Sequence, residues 1–197
     1  MLKSASGPWN IAVMSAKGTG LRLIHPDSLN QNTPSWAPGG QQIVFGRIPV
    51  LENPDQINLS VADVVSGSVR VLERSTGLFS PAWSPDGRYI AAIDAESFRL
   101  VLYDPIRVTR KVLTTARAGF PNWMADSKRI IYLDPDLSFP SIQSISLTGK
   151  VSLVASLVGV RQPGSTFGRW LGLTPDQRPL LVRDLSTQEI FSIELTH

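Results

Sequence analysis

Three observations predict an all-β fold built from repeated four-stranded antiparallel units. The first is a recurring segment: "TPSWAPGGQQIVFGR", "SPAWSPDGRYIAAID" and "FPNWMADSKRIIYLD" each run from a proline and a tryptophan through a short polar turn into an alternating apolar strand. The second is spacing. Trp36, Trp83, Trp123 and Trp170 lie 83−36 = 47, 123−83 = 40 and 170−123 = 47 residues apart, and intervals in the forties suit four strands per propeller blade. The third is composition, because 15 glycines and 15 prolines in 197 residues suit many short strands joined by tight turns. The expectation is therefore a β-propeller of about four tryptophan-anchored repeats plus an N-terminal partial blade, with an incomplete ring.

Each element follows in order. Residues 1–32 form the partial blade, where "WNIAVMSA" reads as a third strand and "LRLIHP" as a fourth around the turn "KGTG", with the first and second strands missing. Successive blades occupy 33–79, 80–119, 120–166 and 167–197. The blade from residue 80 shows the order most plainly: "FSPAW", the turn "SPDG", then the strands "RYIAAID", "FRLVLYD" and "RKVLTT". The last blade supplies three strands and lacks its fourth. On this reading the chain continues upstream in its natural parent, or completes its ring by self-association.

The repeated turn has a mechanical basis. In "SPDG", Pro85 pre-sets φ, Asp86 suits the following position, and Gly87 supplies the positive φ from which a tight hairpin leaves with the correct twist. Gly40 in "APGG" has the same place. Ser127 and Gln177 stand where a glycine is expected, so those two turns should be strained or differently shaped. The four tryptophans are expected to fill the space between neighbouring blades, since an indole buries about 150–250 Å².

Composition narrows the function classes. With 42% apolar residues the chain can build a core, and with no cysteine it has neither a disulfide framework nor a cysteine-based zinc site or nucleophile. A formal charge of +3 comes from scattered lysines and arginines, unlike the clustered basic stripe of a nucleic-acid binder. No window approaches the roughly 18 apolar residues of a membrane span, and "MLKSASGPWNIAVMSAKG" lacks the apolar region of a signal peptide.

The "PxWSPDGxxIA" units resemble the WD-repeat-like repeats of the TolB-type β-propellers, which also occur in prolyl-oligopeptidase-like enzymes; residues 84–87 match best. The stretch "WLGLTPDQRPLLVRDLSTQEIFSIEL" is similar to the final blade of large bacterial regulators that carry a winged-helix or protein-kinase head. The resemblance implies the C-terminal sensor or interaction part of a larger bacterial protein, in a periplasmic or other extracytoplasmic setting. It also implies an alternative, the gating propeller of a hydrolase whose catalytic domain is not in this chain.

No catalytic constellation accompanies the repeats. A serine triad needs a histidine base, and only His25, before a proline, and the terminal His197 exist. Asp134 and Asp136 in "LDPDLSFP" could hold a hard cation, but aspartates flanking a proline more often bond their own backbone as turn formers. No metal, no cofactor and no catalytic residue is therefore expected. The loops "IPVLENPDQ", "DAES", "TARAGF" and "DPDLSFP" should converge on one face, where Arg47, Glu52, Asp55, Glu96, Arg117 and Asp136 are the candidate exposed groups for a protein or peptide partner.

Overall fold

The computed structural model describes residues 2–3, 7–47, 49, 53–163 and 170–186. An N-terminal piece comprises β1 (Leu2–Lys3), β2 (Trp9–Asn10), β3 (Ala12–Val13) and β4 (Arg22–Leu23), with β1 paired to β2 and β3 to β4. Three complete antiparallel sheets follow. The first holds β5 (Asn32–Trp36), β6 (Gln42–Gly46), β7 (Ser60–Asp63) and β8 (Val69–Val71); a short 3₁₀ turn, Pro54–Gln56, lies in its β6–β7 connection. The second holds β9 (Leu78–Trp83), β10 (Ile90–Asp94), β11 (Leu100–Asp104) and β12 (Thr109–Val112). The third holds β13 (Gly119–Trp123), β14 (Arg129–Asp134), β15 (Ser141–Ser146) and β16 (Val151–Ser156), and β17 (Leu171–Leu173) pairs with β18 (Pro179–Leu181) beyond it.

This is the expected all-β architecture of four-stranded propeller blades, incomplete as a ring. Strands run in chain order across each sheet, so every connection within a blade is a hairpin. The N-terminal piece differs from expectation in one respect. The sequence predicts no strand before Trp9, whereas Leu2–Lys3 pairs with Trp9–Asn10 in a short two-stranded sheet separate from that of β3 and β4. The predicted strand "EIFSIEL" lies outside the described residues.

The middle strands explain the stacking. "IVFG", "IAAI", "LVLYD" and "IIYL" are buried on consecutive residues, which happens only when both faces of a sheet are covered. One core fills each seam. Val44, Leu59 and Val61 of the first complete blade pack with Ile90, Val101 and Tyr103 of the second. Ile93 and Leu100 of the second pack with Ile130 and Tyr132 of the third. Ile11 and Ile24 close the seam with the N-terminal piece, and Leu171 closes the seam beyond the third blade.

Each first strand carries a bulge at the same place. Thr33, Ser80 and Phe120 have φ of 46°, 51° and 52°, the pairing register shifts around each of them, and Pro34, Pro81 and Pro121 follow directly. A bulge leaves one residue out of the ladder, and a proline, having no N–H, loses nothing at the irregularity.

The tryptophans do not share one role, which corrects the expectation that all four fill seams. Trp123 is 7% exposed, and its indole N–H donates to the carbonyl of Ala82 in the preceding blade at 2.9 Å. Trp83 is half-buried and packs against the seam core of the first two complete blades, as expected, while its indole N–H donates to the carbonyl of Gly87 in its own turn. Trp36 is 51% exposed, because among the described residues no first strand lies on the side that Trp123 uses. Trp170 is 50% exposed for another reason: it is out of register. The turn 174–177 follows Leu173, so Leu173 holds the place of Trp123, at an interval of 173−123 = 50. The Trp170 indole instead covers the α-carbon of Gly172.

The two turns without glycine are strained, as expected, and not differently shaped. Gly40, Gly87, Ser127 and Gln177 all adopt positive φ, and the N–H of each donates to the carbonyl three residues before at 2.9–3.0 Å. The two turns without glycine keep the common hydrogen-bonded shape because their side chains bond the neighbouring turn. Ser127 Oγ accepts from the N–H of Asp86 at 3.0 Å, and Gln177 Oε1 accepts from the N–H of Ala125 at 2.7 Å. A non-glycine residue in this conformation costs about 1–2 kcal/mol, and one hydrogen bond returns about 1 kcal/mol.

Two outcomes follow for urea unfolding. Trp123→Ala should cost about 3–5 kcal/mol, and Trp36→Ala about 1 kcal/mol or less; equal losses would refute the distinction between them. Ser127→Ala should cost about 1–2 kcal/mol because strain stays while the Asp86 N–H loses its acceptor. Ser127→Gly should lie within about 0.5 kcal/mol of the parent, since relief of strain offsets the lost bond.

Candidate functional site

A cleft of about 550 Å³ opens at the seam between the first two complete blades, lined by Pro54, Asp55, Ile57, Thr76, Gly77, Asp94, Glu96 and Arg110 among others. Its volume falls within the range of ordinary ligand sites, about 300–1,000 Å³. Three pieces of chain enclose it beside Arg110 of β12: the β6–β7 connection with its 3₁₀ turn, the link 72–77 between blades, and the β10–β11 turn. Backbone bonds lock them together. The N–H of Gly77 donates to the carbonyl of Ile57 at 2.8 Å, and the N–H of Ala95 donates to the carbonyl of Gly77 at 2.7 Å.

Asp94 ends β10 and shapes the turn that follows. Its Oδ1 accepts from the N–H of Ser97 at 2.8 Å and from the Ser97 hydroxyl at 2.7 Å. Burial acts to raise its pKa, but the Ser97 bonds, with the Arg110 guanidinium and the Glu96 N–H, outweigh burial and hold the carboxyl below its ordinary value. Arg110 on β12 is itself steadied by donating to the carbonyl of Thr76 at 3.2 Å. Asp55 and Glu96 are exposed and, among the described residues, make no ion pair. The cleft thus presents three carboxylates and one guanidinium, with proline and isoleucine forming its apolar wall.

The structure brings together Asp55 and Glu96 of the six residues singled out from the sequence. Glu52 lies outside the described residues. Arg117 is exposed, and its guanidinium stacks 4.4 Å from the ring centroid of Phe98, which meets Phe79 edge-on. Asp136 is exposed but committed to its own turn, accepting from the N–H groups of Ser138 and Phe139 at 2.8 and 2.9 Å. Asp134 accepts from the N–H of Asp136 at 3.1 Å, as a turn former does.

Arg47 is a correction. Expected on the surface, it is buried and pairs with Asp27 at 2.7 Å while donating to the carbonyl of Leu29. The loop of the N-terminal piece covers the end of β6, so the guanidinium turns inward to the nearest carboxylate. Burial pushes Asp27 up, yet the Arg47 bond and the N–H groups of Leu29 and Ser28 bring it below the ordinary carboxylate value. The pair is a staple between the N-terminal piece and the first complete blade.

Sequence reading missed Asp94, Thr76 and Arg110 as members of one site. Asp94 was visible as the last residue of a strand, and Arg110 as a charge on an outer strand. Only blade stacking sets them beside the link 72–77.

No protein-family model matches the sequence, and no curated protein matches it. Solved structures do. TolB from Acinetobacter baumannii is similar with a TM-score of 0.70 at 18% identity, over 91% of this chain and 44% of its own. A putative TolB from Agrobacterium tumefaciens gives 0.67 at 17% identity, over 77% and 58%. An oligogalacturonate lyase in complex with manganese gives 0.61 at 13%, over 86% and 51%. The chain spans about half the length of these neighbours. It has the TolB-type β-propeller fold, a scaffold that also carries a lyase, so the fold alone does not select a function.

Asp94 makes a pH prediction. A carboxyl held below its unfolded pKa contributes stability that is complete above about pH 4 and is lost as pH falls through the folded value. Asp94→Asn should cost about 1 kcal/mol at pH 7 and should lower the urea midpoint less than the parent's between pH 7 and pH 3. A variant whose acid sensitivity matches the parent's would show that the Ser97 bonds contribute nothing.

Proposed function

We propose that the chain is a non-enzymatic propeller module that binds an extended protein or peptide segment at the seam cleft. The observation that carries this reading is the pair of carboxylates, Asp55 and Glu96, that make no ion pair among the described residues and stand on the rim of a cleft with an apolar wall. Carboxylates poised this way accept hydrogen bonds from lysine or arginine side chains and from peptide N–H groups, while Pro54 and Ile57 contact apolar side chains. The partner is therefore a segment with basic and apolar residues in alternation.

Titration of the isotope-labelled protein with a ten-residue peptide alternating lysine and valine, and with its glutamate counterpart, tests the reading. The lysine peptide should shift the amides of Asp55, Gly77 and Glu96, and binding should weaken about tenfold in Asp55→Asn/Glu96→Gln and in high salt. Shifts elsewhere on the molecule, or equal binding of the acidic peptide, would refute it.

A further inference from the structure

The three outer strands of the complete blades are equivalent in topology but not in chemistry. Among the described residues, β8, β12 and β16 each end a sheet and pair on one side only. Such an edge exposes a row of N–H and C=O groups that can template another strand, and charged side chains are the usual guard. β8 reads Val-Arg-Val and β12 reads Thr-Arg-Lys-Val. β16 reads Val-Ser-Leu-Val-Ala-Ser and carries no charge. It is also longer, at six residues against three and four. Val151 is 48% exposed and Leu153 is 64% exposed.

We infer that the free edge of β16 is an interaction surface for a second copy of this chain, joined by antiparallel β16–β16 pairing about a two-fold axis. The charge pattern selects this occupant. Antiparallel self-pairing centred on β8 would set Arg70 against Arg70, and on β12 it would set Arg110 against Arg110 or Lys111 against Lys111, all like-charge pairs that destabilise a ladder. The same operation on β16 sets Val151 against Ala155, Ser152 against Val154 and Leu153 against Leu153, with no charge opposed. β16 is thus the one of these three edges whose own sequence complements itself, and a two-fold axis closes the contact after one partner. The pairing shifts between β15 and β16, where Ile142 opposes Ala155 and Gln143 opposes Leu153, leaving Val154 bulged. This shortens the flat part of the edge, so the dimer is weak and depends on concentration.

Sedimentation equilibrium from about 10 µM to about 1 mM tests the inference. The apparent mass should rise from 21.5 kDa toward twice that value. Leu153→Lys and Leu153→Glu, at a solvent-facing position, should each remain monomeric with the parent's melting temperature, and an equimolar mixture of the two should regain the dimer. Val112→Lys on β12 should associate as the parent does. A constant monomer mass across the series overturns the inference, as does a dimer that survives Leu153→Lys.

Discussion

Every blade depends on covering both faces of its middle strands. Val44 and Phe45, or Ile90 to Ile93, are buried without alternation, and a sheet of that kind has no stable existence with one face in water. The blades must therefore stack, and the stability of each is held in common with its neighbours through the seam cores. The fate of each tryptophan follows from the same constraint. Trp123 meets a complete blade and is buried, whereas Trp36 faces a piece with no described first strand and stands half in solvent.

Stacking also brings the turns side by side, and the chain uses that proximity. Where a glycine would relieve the backbone, Ser127 and Gln177 remain, and each bonds the backbone of the turn before it. Local strain is exchanged for contact between blades. The Arg47–Asp27 pair performs a similar service between the N-terminal piece and the first complete blade. Connections between blades are thus polar at the turns and apolar in the seams, a division that fixes register as well as spacing.

The loop face inherits its chemistry from this frame. The link 72–77 is pinned between two blades by backbone bonds at Gly77, and the cleft forms where it meets the β6–β7 connection and the β10–β11 turn. Asp94 and Arg110 are engaged in holding the walls, while Asp55 and Glu96 make no ion pair among the described residues and stand at the rim. The opposite side of the design is the outer strands, whose edges no neighbouring blade covers. There the charges of β8 and β12 and their absence from β16 decide which edge another chain can use.

The sequence by itself determined the blade: the turn residues, the short apolar runs of its strands and the spacing of Trp36, Trp83 and Trp123 are local, and local rules read them, although the alternation expected of the middle strands gave way to burial on consecutive residues. It misled at Trp170, because a tryptophan four residues before the turn looks the same in composition as one adjacent to it. The bulges at Thr33, Ser80 and Phe120 were written in the prolines that follow them, yet a proline beside a strand has several readings. Asp55 and Glu96 were legible as exposed groups on loops. The burial of Arg47, the link between Ser127 and Asp86, and the meeting of Asp55 with Asp94 and Arg110 in one cleft were decided only by the tertiary structure. The physical reason is that these join residues of different blades or of distant loops, whose separation depends on how the sheets stack rather than on any pattern within one repeat.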